Sequence, residues 1–423
     1  MDKLSKNITF YQKIKKLFFP FYKTKDIKNL FNILEKNKPR NNEVAMLVGG
    51  CVRKFLNNDI IDDIDVATIF SPQEIKEKFK ESNFKIIDTG IEHGSVTAII
   101  NTSKFEITSL RQDIKTDGRH AEILFTDSWK QDSDRRDFTI NAIYMNKRGK
   151  IYDPQNGRED LKNNKIKFIG NPTSRIEEDY LRIIRYIRFC IQYNIEHSDP
   201  NTINAIKLNL TGLKNLSKER ILSELYKIFT LKNLNIILNN KEIKNILLLI
   251  FPEFKYLERL KKLNKIDNIS SLNNEILLAI LLIDKKNNHE YFLHKYNVSN
   301  HLKDKLNLIF KNYLDFSNNK NFFEKNLKKN IYYFGKAHLQ TLNIVYFSIN
   351  KNVKLEDYLN TSNIIKKSYV PKFPLDGNFL KNKGVREGAT IGKILKLLEN
   401  DWIESNFQIS NQRISKIIND KKT

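Results

Sequence analysis

A chain of 423 residues carries 73 Lys and Arg against 49 Asp and Glu, a formal net charge of +24. The length gives a prior of roughly two to four domains, and a content of 40% hydrophobic and 11% aromatic residues excludes wholesale disorder. The longest apolar run, 276–283, has eight residues. A spanning helix needs about eighteen, so no membrane association is expected.

Two cysteines, Cys51 and Cys190, are too few for a disulfide framework or a zinc site. Lys and Asn interrupt residues 1–16, which argues against a secretory signal. A reducing, cytoplasmic setting is the simplest expectation. The charge invites a polyanionic partner, nucleic acid first. An A+T-rich genome would also enrich Lys, Asn and Ile, so net charge alone leaves both readings open. Its distribution says more. Residues 1–165 hold 30 Lys and Arg and 24 Asp and Glu, a balance of +6, whereas 166–423 hold 43 and 25, a balance of +18. The second part is rich in Lys, Asn, Leu and Ile and reads as mostly helix. The expected layout is an α/β N-terminal domain followed by a long basic helical region.

In chain order, an apolar strand at 44–48 ends in Gly49-Gly50, and 51–56 opens a helix. Residues 64–69 read as a strand. Ser71-Pro72-Gln73-Glu74 starts the next helix, with Ser as N-cap, Pro at N1 and Glu closing a capping box. Strands are predicted at 85–88, 95–101, 105–110 and 121–125, punctuated by Gly90, Gly94 and Gly118. Helices are predicted at 177–191, 217–229 and 274–282.

Three constellations carry chemistry. In Gly49-Gly50-Cys51-Val52-Arg53, a double glycine after a strand lets backbone amides approach a phosphate at a helix start. Arg53 would reach the same phosphate. Asp63-Ile64-Asp65 follows, and i, i+2 spacing in a strand turns both carboxylates to one side. Two hard oxygen ligands suit Mg²⁺ with substrate phosphates completing the shell. The bland alternative is a glycine turn and a surface Asp pair. Glu106, opening another strand-like run, is a candidate third catalytic carboxylate or simply an exposed strand Glu.

The second constellation is Asp134-Arg135-Arg136-Asp137 leading to Asn141. Paired arginines beside an acid suit triphosphate and ribose binding, and equally a salt-bridged turn. The third runs from Glu178-Asp179-Tyr180-Leu181-Arg182 through Arg185 and Arg188. On a helix, Asp179 and Arg182 are neighbours at i, i+3. An Asp acceptor beside an Arg donor matches the edge shared by cytosine and adenine and mispairs with guanine and uracil. A helix laced by ion pairs is the alternative.

These residues together resemble the class II (bacterial-type) CCA-adding tRNA nucleotidyltransferases and their poly(A) polymerase relatives. Five elements appear in family order within residues 44–229: Gly49-Gly50-x-x-Arg53 with Asp63-x-Asp65; Arg135-Arg136-Asp137 with Asn141; Asp153, Gly157 and Asp160-Leu161; Glu178-Asp179-Tyr180-Leu181-Arg182; and Ser217-Lys218-Glu219-Arg220 with Glu224-Leu225. The resemblance implies an α+β fold with a polymerase-β-like nucleotidyltransferase head and an elongated all-helical neck, body and tail. The corresponding ranges are 1–165 for the catalytic head, 166–235 for the neck, 236–310 for the body and 311–423 for a tRNA-binding tail.

It further implies a template-independent RNA polymerase that adds C, C and A to tRNA 3′ ends from CTP and ATP. Asp63 and Asp65 would hold two Mg²⁺, and Gly50 and Arg53 the phosphates. Arg135, Arg136, Asp137 and Asn141 would contact triphosphate and ribose. Asp179 and Arg182 would read the base, supported by Arg185 and Arg188. The tRNA would be held at its 3′ end, acceptor stem and elbow; no protein partner is implied. Residues 110–120 resemble the family's mobile loop, and Phe373-Pro374-Leu375 with Gly384-Val385, Gly388 and Ile391-Gly392 a tail element of one branch.

The alternatives are a poly(A) polymerase, a C-only or A-only enzyme, and a non-catalytic RNA-binding protein. Residues 89–96 lack the Gly-Arg-Arg-Phe-like signature of the poly(A) branch. Lys54 stands where the family often has Asp, and no His-Asp dipeptide occurs, so a fused phosphohydrolase domain is not expected.

Overall fold

The computed structural model describes residues 20–37, 43–116, 121–232, 234–266, 272–318, 322–369, 371–385 and 388–420. The chain divides into two compact units, Met1–Pro252 and Glu253–Thr423.

The first unit is built on a seven-stranded sheet of order β3-β4-β5-β2-β1-β8-β9. Its strands are β1 (Ala45–Val48), β2 (Ile64–Thr68), β3 (Lys85–Gly90), β4 (Ser95–Ile100), β5 (Ser103–Ser109), β8 (Tyr144–Met145) and β9 (Ile151–Tyr152). Period-2 alternation divides its faces. Ala45, Leu47, Val66, Phe105 and Ile107 point to one side. The helices Lys25–Leu34, Gly50–Asn57 and Pro72–Phe79 cover that side. The first of them buries Ile27, Leu30, Phe31 and Leu34, one face at helical spacing. Met46, Val48, Ala67 and Tyr144 point to the other side and form a smaller cluster. That second face carries the acidic residues.

The predicted capping box at Ser71 is present: Ser71 Oγ accepts from Glu74 N, and the Glu74 carboxylate accepts from Ser71 N. The ribbon of β6 (Arg111–Thr116) and β7 (Ala121–Phe125) was half expected. Only β7 read as a strand, because β6 has polar residues where a buried strand alternates apolar ones. Residues 117–120 of the expected mobile loop lie outside the described residues.

Helices follow in the same unit, among them Pro172–Glu178, Leu181–Gln192, Pro200–Asn209, Lys218–Phe229 and Lys241–Ile250. The continuous helix predicted over 177–191 is corrected here. Asp179 has φ −155 and ψ 102, an extended backbone that ends one helix before the next begins. Its Oδ1 accepts the Leu181 N–H at 3.1 Å, so the side chain satisfies a donor at the new helix start. The Tyr180 ring is wedged in this break against Gly212, where a Cβ would meet it at 2.0 Å.

The second unit is helical among its described residues. Asn274–Leu282 is apolar on nearly every side and buries Leu277 through Leu282. Leu327–Ile349 is interrupted at Gly335, whose φ of +77 no helix admits. The helices Gly377–Asn382, Ala389–Glu404 and Asn411–Asn419 close on their own small core of Leu380, Val385, Ile394, Leu398, Ile414 and Ile418. Residues 386 and 387 of the expected tail element lie outside the described residues.

Candidate active site

β1 runs directly into the glycine pair. Gly49 has φ +70, a conformation a side chain would strain. A Cβ there would meet Asp65 Oδ2 at 3.7 Å, the Asn141 carbonyl oxygen at 3.8 Å and Arg136 Nη1 at 3.9 Å. One point is therefore ringed by a carboxylate, a guanidinium and bare backbone. Gly50 opens the next helix and also faces Asp65 Oδ2.

Sheet register sets the acidic groups. Tyr144 on β8 lies opposite Val48 on β1, Val48 opposite Asp65 on β2, and Asp65 opposite Glu106 on the parallel strand β5. Asp63 precedes β2 by one residue and is exposed, as is Glu106, while Asp65 is half-buried. Burial pushes the Asp65 carboxyl up to about 6; Glu106 and Asp63 add to the rise against the pull of Arg136 and Arg53. Crowded, partly desolvated carboxylates of this kind are relieved by a hard cation. Among the described residues no group of three or more His, Cys, Asp or Glu side chains closes on one point by itself. Two carboxylates alone would leave the remaining positions of a Mg²⁺ shell to water and other oxygens.

The second constellation is held from below by a residue the sequence reading passed over. Asp132, fully buried, takes Arg135 Nε on Oδ1 at 2.8 Å and Arg136 Nη2 on Oδ2 at 3.0 Å. Tyr144 Oη donates to the same Oδ2 at 2.7 Å. The i−3 and i−4 spacing of Asp132 from the two arginines was a readable signal; the Tyr144 contact was not. Arg175, also unanticipated, donates through Nη2 to the carbonyl oxygens of Arg135 and Arg136.

Arg53 is buried, with only 5% exposed. Its Nη1 donates to Asn141 Oδ1 and its Nε to Tyr193 Oη at 2.7 Å. Asn141 Nδ2 donates to Asp137 Oδ1 at 2.7 Å, and Asp137 Oδ2 accepts from Arg185 Nε at 2.8 Å. A continuous relay therefore joins Tyr193, Arg53, Asn141, Asp137 and Arg185. Against the effect of burial, Arg185 and the Asn141 amide hold the Asp137 carboxyl down at about 2. Arg188 donates to the buried Glu224 at 2.8 Å, and the guanidinium carbons of Arg53 and Arg188 lie 4.8 and 4.2 Å from the Phe189 ring centre.

Asp179 and Arg182 do not bond each other through their side chains. Asp179 Oδ2 accepts from Arg220 Nη2 at 2.9 Å. Arg182 Nη1 donates to Glu178 Oε2 and to the Arg175 carbonyl oxygen, both at 2.6 Å. The element around Asp153 is structural: its carboxylate accepts from the Gly157 and Arg158 amides at 2.8 and 2.9 Å, and Asp160 accepts from Thr139 Oγ1 at 2.8 Å.

The chain has counterparts among known proteins. Residues 45–167 match the family model described as "Poly A polymerase head domain", and 197–257 match one described as "Probable RNA and SrmB- binding site of polymerase A". Human CCA tRNA nucleotidyltransferase 1, mitochondrial, is 31% identical over 440 residues, covering 99% of this chain and 95% of that protein. The CCA-adding enzyme of Lactobacillus helveticus is 31% identical over 399 residues, covering 89% and 93%. A crystal structure of the Bacillus stearothermophilus CCA-adding enzyme in complex with CTP has a similar fold, with a TM-score of 0.69 at 21% identity over 94% of this chain and 98% of that one. The Thermotoga maritima CCA-adding enzyme complexed with tRNA gives a TM-score of 0.61 at 20% identity, covering 95% and 97%.

The chain belongs to the family of CCA-adding tRNA nucleotidyltransferases. The α+β class read from the sequence, a sheet-based N-terminal region followed by a long helical one, agrees with the structure and with these folds. No described helix is long and apolar enough to cross a membrane.

Proposed function

We propose that this protein adds C, C and A to tRNA 3′ ends, using CTP and ATP. The observation that carries the reading is the convergence of Asp65, Arg136 and the Gly49-Gly50 turn on one point. The tRNA 3′-hydroxyl gives up its proton to water, its oxygen bonds to the α-phosphorus, the bond from that phosphorus to the bridging oxygen breaks, and pyrophosphate leaves. Asp63 and Asp65, with Glu106 beside them, would hold Mg²⁺, which when bound supplies charge neutralisation at the hydroxyl and the phosphates.

The chain's own residues do the rest. The glycine turn leaves room for phosphate oxygens against backbone amides. Arg136 brings a guanidinium to the same place. The relay from Arg53 to Arg185 keeps Asp137 and Asn141 in fixed positions for the ribose. Asp179 and Arg182 read the base as acceptor and donor. Arg220 and Glu178 pair with them until the nucleotide takes their place. Arg185 and Arg188 support the nucleotide from the same helix. The finer division into head, neck, body and tail belongs to this proposal. So does the assignment of tRNA phosphates to the basic residues of 166–423. The two free, buried cysteines suit the reducing, cytoplasmic setting expected from composition.

The test is an assay with CTP, ATP, Mg²⁺ and tRNA ending at the discriminator base, with the product ends sequenced. Addition of C, C, A supports the reading. Long A tails would make the protein a poly(A) polymerase, C-C or A alone a partial enzyme, and no extension with retained tRNA binding a non-catalytic binder.

A further inference from the structure

Asp132 bonds the two arginines and Tyr144 and has no role in the functional reading above. It is a carboxylate with no exposed surface, on the short helix Trp129–Asp134. Its two oxygens are divided without remainder. Oδ1 takes Arg135 through Nε at 2.8 Å and Nη2 at 2.6 Å. Oδ2 takes Arg136 through Nε at 3.1 Å and Nη2 at 3.0 Å, together with the Tyr144 hydroxyl at 2.7 Å. Burial alone would raise this carboxyl; Arg136 and Arg135 hold it far below the usual carboxylate range.

The consequence for Arg136 is geometric. A guanidinium has five N–H donors in a rigid fork. Two of its nitrogens, Nε and Nη2, are committed to Asp132. The third, Nη1, lies against the glycine turn, 3.9 Å from where a Gly49 Cβ would stand. Tyr144 adds the register, because it pairs with Val48, the residue immediately before that turn. Its hydroxyl and the Arg136 Nε are also 3.1 Å apart. Carboxylate, phenol and guanidinium thus tie the arginine to the strand that runs into the Gly49-Gly50 turn.

We propose that Asp132, seconded by Tyr144, is a positioning residue that presents Arg136 Nη1 to the triphosphate of the incoming nucleotide. The proposal rests on the functional reading above, in that it takes the gap at Gly49 to hold phosphate. It predicts a loss confined to ligands that carry a polyphosphate. A brace that merely held the turn together would weaken every ligand alike.

The experiment measures binding of CTP, pyrophosphate and cytidine with Mg²⁺ present, by calorimetry, to the full-length wild type, Asp132→Asn, Asp132→Glu and Tyr144→Phe. No tRNA or turnover is involved, so a wild type that binds CTP without extending tRNA counts against the functional reading alone. With folding checked by melting temperature, Asp132→Asn should weaken CTP and pyrophosphate by about tenfold or more and cytidine by less than about twofold. Asp132→Glu should recover part of the loss. Tyr144→Phe, which keeps the carboxylate, should weaken the same two ligands by a few-fold. Should Asp132→Asn fail to fold, Tyr144→Phe carries the same comparison. Unchanged pyrophosphate binding in the folded variants, or an equal loss for cytidine, would overturn the proposal.

Discussion

Asp65 and Glu106 lie directly opposite each other across the parallel strands β2 and β5, two carboxylates at one level of the sheet. Such a pair costs stability without a cation, because burial and Glu106 both disfavour the Asp65 anion. Asp65→Asn should therefore raise the stability of the metal-free protein by roughly 1–3 kcal/mol while removing nucleotidyl transfer. Thermal melting without divalent ions and a transfer assay check the two halves. Asp63→Ala, at an exposed position, should abolish transfer and leave tRNA binding within about threefold. A large loss of tRNA binding would contradict the division of labour proposed here.

Asp137 gives the opposite sign. Its carboxyl sits at about 2 in the folded protein, chiefly through Arg185 working against burial. A depressed folded value means that the stabilisation is fully present above the unfolded value of about 4. It is lost as pH falls through about 4 towards 2. Asp137→Ala should cost roughly 3 kcal/mol at neutral pH, because Arg185 is left without its partner. The variant should also show a shallower acid unfolding profile, measured as melting temperature against pH.

Arg182→Ala offers a clean test of base choice. Glu178 keeps Arg175 Nη1 at 2.5 Å when Arg182 is removed, so the fold should persist. Discrimination against UTP and GTP should fall by about tenfold or more, read as kcat/KM ratios. Unchanged ratios would refute the Asp179/Arg182 pair.

Gly212 supports the same corner from a distant part of the chain. A side chain there would enter the Tyr180 ring, next to Asp179. Gly212→Ala should destabilise the protein by about 1–3 kcal/mol and erode base selection, with pyrophosphate binding unaffected. Parallel melting and selection assays separate it from a general unfolding.

For the whole protein, tRNA affinity should drop by about tenfold or more between about 50 and 200 mM salt, because phosphate contacts release counterions. A flat salt dependence would remove the role given to the basic helical residues.

What the sequence made legible follows from range. The glycine pair, the capping box at Ser71 and the alternation that puts Asp65 on the face away from the core depend on neighbours a few residues apart, where spacing is geometry. The helix over 274–282 is found with the same bounds. The break at Asp179 was invisible, because Leu, Ile and Arg keep helical periodicity on past it and the competing term is a side chain bonding its own backbone. The surroundings of Arg53 were out of reach as well: its partners Asn141 and Tyr193 are 88 and 140 residues away. Arginine in a glycine-arginine pattern reads as a phosphate ligand, and spacing gives no sign of the buried partners it has here. Asp132 was a different kind of miss, lying within four residues of the arginines it holds.

The relay leaves the C-terminal end of the helix Leu181–Gln192 at Tyr193, crosses to Arg53 on the helix that opens at Gly50, and returns through Asn141 and Asp137 to Arg185 on the first helix. Every link is a hydrogen bond between largely buried groups, so the line has little slack. It ties two helices, the one that opens at Gly50 and the one that follows Asp179, at one fixed spacing, and on the proposed function the nucleotide would lie between them. On that reading a pyrimidine and a purine would meet the same spacing, and their difference in size would have to be taken up elsewhere than in this braced line.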